Sequence, residues 1–106
     1  DTGNVSAWHN DLWSEFYNGH KSIAALHLKD TYAVTENSKG QFRDVPFGDG
    51  CVDWEAMFAI LKKTNYNGPF LIEMWSENCA TVEETKQAIQ VAKDFLLPKI
   101  EKAGLR

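Results

Sequence analysis

Two short apolar runs, each with polar residues on one side only, constrain this chain more than any other feature. The first is "SIAALHLKD" (residues 22–30) and the second is "FLIEMW" (70–75). Each has the length of a strand, and the second is opened by the turn pair Gly68-Pro69. Side chains alternate across a strand, so Ala25, His27 and Lys29 share one face while Leu26, Leu28 and Asp30 share the other. In the second run Leu71, Glu73 and Trp75 lie on one side and Phe70, Ile72 and Met74 on the other. Each strand is thus expected to seal an apolar face against helices and to present His27 or Glu73 on the opposite face. A carboxylate in such a run is costly to bury without a partner.

The segments between the runs read as helices and one long loop. Val5, Trp8, Leu12 and Phe16 keep a helical spacing over Val5–Gly19. Residues 31–53, with "TENSKGQFRDVPFGDG", form a loop of the length usually reserved for function. Asp53 is placed to cap a helix whose stripe is Met57, Ile60 and Leu61, and "NYNGP" (65–69) ends it. Thr81-Val82-Glu83-Glu84 is a capping box, and the helix behind it is expected to bury Ile89, Ala92, Phe95 and Leu96, with a kink or restart at Pro98.

The order helix, strand, loop, helix, strand, helix predicts an α/β unit with parallel strands. Two parallel strands leave both sheet edges open, so the unit is expected to belong to a larger sheet or to pair with a second copy of itself as a homo-oligomer. Asp1-Thr2-Gly3-Asn4 opens the chain without an initiator Met, as a segment of something longer would. The 106 residues suffice for one small domain, spanning 1–106. A net charge of −4 with no basic stripe argues against nucleic acid, and no apolar stretch is long enough for a membrane. Cys51 and Cys79 fit no disulfide framework or metal spacing, and are expected to be reduced thiols in a cytoplasmic protein.

If the strands are neighbours in parallel register, His27 and Glu73 both stand near the C-terminal end of the sheet, where α/β proteins bind ligands. An imidazole and a carboxylate there make a divalent-metal pair; the alternative is that each is a hydrogen-bonded structural group. Asp1 is a third candidate ligand. Asp30, on the helix-facing side, is expected to hold a loop or pair with a cation. Lys29 and Arg43 are candidates for holding an anion. Gly48 and Gly50 of "FGDG" could offer backbone N–H groups to a phosphate, and Trp75 could stack on a sugar.

Four stretches in this order, "DTGNVSAW", "ALHLKDT", "GQFRDVPFGDGCVDW" and "FLIEMWSEN", closely resemble the C-terminal part of bacterial L-ribulose/L-xylulose 5-phosphate 3-epimerases, a hexulose-6-phosphate isomerase-like group. That family is similar to the tagatose and psicose epimerases and lies among the xylose-isomerase-like TIM barrels. The resemblance covers essentially the whole chain. It implies the C-terminal part of a (β/α)8 barrel: the end of strand six, then strands seven and eight with their helices.

It further implies a divalent metal (Mn, Mg, Zn or Co) held by Glu, Asp, His and Glu from successive strands. Asp1, His27 and Glu73 match the last three, and the first Glu would lie upstream. Arg43 falls where relatives carry a substrate-binding Arg, while Asn4 stands where several carry a His. The implied reaction inverts C3 of a ketopentose 5-phosphate. One carboxylate removes the proton, a second returns it to the other face, and the metal acts as Lewis acid on the enediolate. Glu73 would be one of the two carboxylates, so the 106-residue chain alone is expected to be inactive. Two other readings stand beside this one: a non-catalytic α/β module that oligomerises, and an aldose–ketose sugar-phosphate isomerase.

Overall fold

A computed structural model describes residues 1–75 and 78–106. Its centre is a two-stranded parallel sheet of β1 (Leu26–Leu28) and β2 (Phe70–Ile72), with Leu26 opposite Phe70, His27 opposite Leu71 and Leu28 opposite Ile72. The ladder extends at both ends, through Leu26 N–H to Pro69 O and Glu73 N–H to Leu28 O. Helices α1 (Thr2–Ala7), α2 (Trp54–Lys63) and α3 (Val82–Lys102) surround it.

The expected alternation holds. Leu26 and Leu28 are buried and meet Met57, Phe58, Ile60 and Leu61 of α2 and Leu96 and Ile100 of α3 in one core. His27 and Leu71 face the other way and are exposed. Helix α2 starts where Asp53 accepts from Ala56 N–H, and α3 where Thr81 and Glu84 form the reciprocal capping box. Both sheet edges are open among the described residues. No described helix is long and apolar enough to cross a membrane. Cys51 and Cys79 are both free.

The ladders are shorter than the runs that form them. Ser22 closes a 3₁₀ turn (His20–Ser22), so β1 cannot begin there. At its other end the Lys29 peptide is taken by α1: the Thr2 hydroxyl donates to Lys29 O (2.8 Å) and accepts from Lys29 N–H (3.0 Å). With β1 finished, Met74 and Trp75 have no strand to pair with and lie exposed beyond β2.

The helix expected over Val5–Gly19 is broken into two pieces. Helix α1 ends at Ala7, His9 takes a left-handed φ of 58°, and Asp11 restarts the chain by accepting from Ser14 N–H, leading into a π-helical segment (Trp13–Tyr17). Trp8 fits the helical spacing but is 60% exposed, so no burial holds a continuous helix together there. Gly19 stays right-handed and passes directly into the 3₁₀ turn. Two corrections fall on α3. Ile89 is exposed rather than buried with Ala92 and Leu96. The helix also continues through Pro98 without a restart; burial of Leu96 and Ile100 on either side outweighs the one missing backbone hydrogen bond.

Residues 31–53 contain only two isolated bridges, Tyr32 with Gln41 and Thr35 with Ser38. Their return path is organised by Asp30, which is buried and accepts from Thr31 N–H (3.0 Å), Gly48 N–H (2.8 Å), Val52 N–H (3.3 Å) and Trp54 Nε1–H (3.1 Å). Four donors satisfy this buried carboxylate, the structural role expected of it.

Candidate metal centre

Three side chains from three elements converge at the C-terminal end of the strand pair. Asp1 arrives as the N-cap of α1, where Oδ1 accepts from Asn4 N–H at 2.8 Å. The Thr2–Lys29 bonds hold that helix start against the end of β1. His27 is central in β1, and Glu73 follows β2 directly, two residues beyond the Leu71 that registers with His27. That offset puts His27 and Glu73 on one face, and His27 Nδ1–H donates to Glu73 Oε2 at 2.7 Å. One ligand atom each of Asp1, His27 and Glu73 lies within 4.8 Å of the others.

Lys29 completes the cluster. Its side chain is only 9% exposed; Nζ donates to Glu73 Oε1 at 3.1 Å and stands 3.8 Å from Asp1 Oδ2. Partial burial pushes the Glu73 carboxyl up, but hydrogen bonds from Lys29 and His27, aided by the nearby positive charge, outweigh it and hold Glu73 below the usual glutamate value. Strand parity already placed Lys29 on the His27 face. That Lys29 engages the carboxylates in this structure follows from the folded register.

The donor set fits a divalent cation. Two carboxylates and one imidazole are the mix such ions accept, and the Asp1 cap uses Oδ1 while Oδ2 faces Lys29 and the cluster. Both oxygens of Glu73 point into the cluster, one toward His27 and one toward Lys29.

Beside the cluster lies a cavity of about 270 Å³ lined by Lys29, Glu73, Phe42, Phe47, Trp75 and Cys79 among others. It separates the loop after β1 from the segment after β2. Arg43 lies over the Trp75 ring, 4.1 Å from its centroid, so these two expected substrate contacts stand together beside Glu73.

Gly48 requires correction as a phosphate donor, while Gly50 keeps a structural role through its close approach to Asp30. Gly48 N–H is committed to Asp30, Asp49 N–H to Pro46 O and Cys51 N–H to Thr31 O. Gly48 has φ 95°, and a Cβ there would strike the Phe95 ring; a Cβ on Gly50 would come within 2.0 Å of Asp30 Oδ1. "FGDG" is built to close the loop on Asp30.

Comparison with known proteins bears on the family. Residues 1–96 match the family model of the xylose isomerase-like TIM barrel. The chain is 55% identical, over 99% of its length, to SgbU of Haemophilus influenzae, provisionally named an L-ribulose-5-phosphate 3-epimerase. It is 51% identical over 98% of its length to SgbU of Escherichia coli K12, named in the same way, and 45% identical over 99% to the L-ribulose-5-phosphate 3-epimerase UlaE of Salmonella paratyphi C. The matched regions cover 36%, 35% and 34% of those proteins, so the chain spans about a third of the length of the curated relatives it matches. With 96 of its 106 residues matched and the parallel strands and helices in place, the chain belongs to the xylose isomerase-like TIM barrel family.

Proposed function

We propose that this chain forms the C-terminal part of a metal-dependent sugar-phosphate 3-epimerase barrel, with β1 and β2 as strands seven and eight and Asp1 at the end of strand six. The observation that carries the reading is the convergence of Asp1, His27 and Glu73 within 4.8 Å at the C-terminal end of parallel strands. The names of the relatives supply the substrate class, L-ribulose 5-phosphate.

In this reading Asp1, His27 and Glu73 hold a divalent ion, which when bound supplies Lewis-acid polarisation of the ketose oxygens. Glu73 is the acid/base group of this segment. It is held ionised by its neighbours, ready to accept the C3 proton, and a second carboxylate outside the chain serves the opposite face. Trp75 and Arg43, stacked together, border the sugar. Lys29 is the only basic residue among the described ones that line the cavity, and it is engaged by carboxylates. The phosphate grip is assigned to Arg43, beside Trp75, and to parts of the barrel beyond this chain. The open sheet edges and the exposed Val82, Ile89, Val91 and Leu97 of α3 are to be covered by the rest of the barrel or by a second copy.

The test is incubation of the full-length protein containing this segment with L-ribulose 5-phosphate in deuterated water. Deuterium at C3 with formation of L-xylulose 5-phosphate is expected, and Glu73→Gln should lower the rate by about 10²–10⁴-fold. Deuterium at C1 with an aldose product would replace the epimerase reading by an isomerase. No exchange at either carbon would overturn both.

A further inference from the structure

The strongest feature left unexplained is a buried ammonium among the candidate metal ligands. The Lys29 side chain is 9% exposed, and its Nζ lies 3.1 Å from Glu73 Oε1 and 3.8 Å from Asp1 Oδ2, two of the three groups that would bind the ion. Both carboxylates would otherwise face each other part-buried, with His27 the remaining neighbour. Two like charges in such a place repel unless a cation stands between them. The backbone of Lys29 leaves its side chain little choice of direction, because the Thr2 hydroxyl fixes both its N–H and its C=O.

We infer that Lys29 is the resident counter-ion of this site: it holds Asp1 and Glu73 together when no metal is bound and, as a like charge beside the entering dication, keeps metal affinity down. The inference rests on the metal reading proposed above. It makes Lys29 a positioning residue acting through Glu73 and Asp1. Glu73 divides its oxygens between His27 (Oε2) and Lys29 (Oε1), so Lys29 keeps the carboxylate aligned through one oxygen while the other stays turned to the histidine.

Two neutral variants test this in the full-length protein containing this segment: Lys29→Gln, which keeps a donor, and Lys29→Met, which keeps the stem. Mn(II) alone is the probe, with binding followed by the loss of the free-ion EPR signal. Both variants are expected to bind Mn(II) about tenfold more tightly than the wild type, the scale of removing a unit charge a few ångströms from a dication in a part-buried site. Without metal both should melt below the wild type, and saturating Mn(II) should raise their melting temperatures more than it raises the wild type's. A purely structural lysine would lower the melting temperature without tightening the metal. Lys29→Gln keeps the experiment decisive if Lys29→Met does not fold. Equal or weaker Mn(II) binding in the neutral variants overturns the inference alone. Absence of Mn(II) binding in all three proteins overturns the metal reading, and the inference with it.

Discussion

The two faces of the β1–β2 pair are built from neighbouring residues yet have opposite fates. Leu26 and Leu28 are 2% and 1% exposed under α2 and α3, while His27, between them, has a side chain 52% exposed. Across the ladder Ile72 is half-buried whereas Leu71 is exposed. The sealed face supplies the driving force for folding and tolerates no polar group except Asp30, which carries four hydrogen bonds. The open face carries the charged cluster, ordered by hydrogen bonds between side chains. Stability and chemistry are thus divided by the strand's two-residue period.

That division can be broken most forcefully by comparing Leu28→Ala with Leu71→Ser. Leu28→Ala should cost about 2–5 kcal/mol in denaturant unfolding, because it empties a filled core position. Leu71→Ser, on the open face, should stay within about 0.5 kcal/mol. Equal losses would mean that the open face is closed in solution, for instance by a second copy. Next in size, Asp30→Ala should cost about 2–3 kcal/mol by stranding buried donors of the loop and of Trp54. It should also leave residues 44–52 open to proteolysis, as limited digestion would reveal.

The smallest effect sharpens the electrostatic side of the contrast. Glu73 has a lowered carboxyl pKa in the folded chain, so its ionised form stabilises the fold. That contribution is complete above the ordinary glutamate value of 4.5 and is lost as the pH falls through the lower folded value. The difference in melting temperature between wild type and Glu73→Gln, measured without metal, should therefore shrink as the solution is acidified below pH 4.5. A difference that grows on acidification would contradict the arrangement around Lys29 and His27.

Much of this was legible because it depends on near neighbours in the chain. The alternation around His27 and Glu73, the Asp53 cap and the Thr81–Glu84 box each use residues within four positions of one another. Features set by distant partners were not legible. The break at His9 hides behind Trp8, which fits the helical spacing but is exposed in the fold. The end of β1 depends on Thr2, 27 residues away, and the exposure of Ile89 is a tertiary outcome that its helical spacing does not reveal. Within the site, His27 and Glu73 could be paired from parity. The arrival of Asp1 and the engagement of Lys29 required the folded register. Gly48 misled because a glycine-rich turn looks alike whether its N–H groups point outward to a ligand or inward to Asp30.

The most direct test of the central claim is pulsed EPR of the Mn(II)-loaded chain, read for nitrogen coupling from a directly bound imidazole. One such coupling is expected, absent in His27→Ala and accompanied by much weaker Mn(II) binding in Asp1→Ala and Glu73→Ala. Bound Mn(II) without nitrogen coupling, or a coupling that survives His27→Ala, would show that these three side chains do not share an ion.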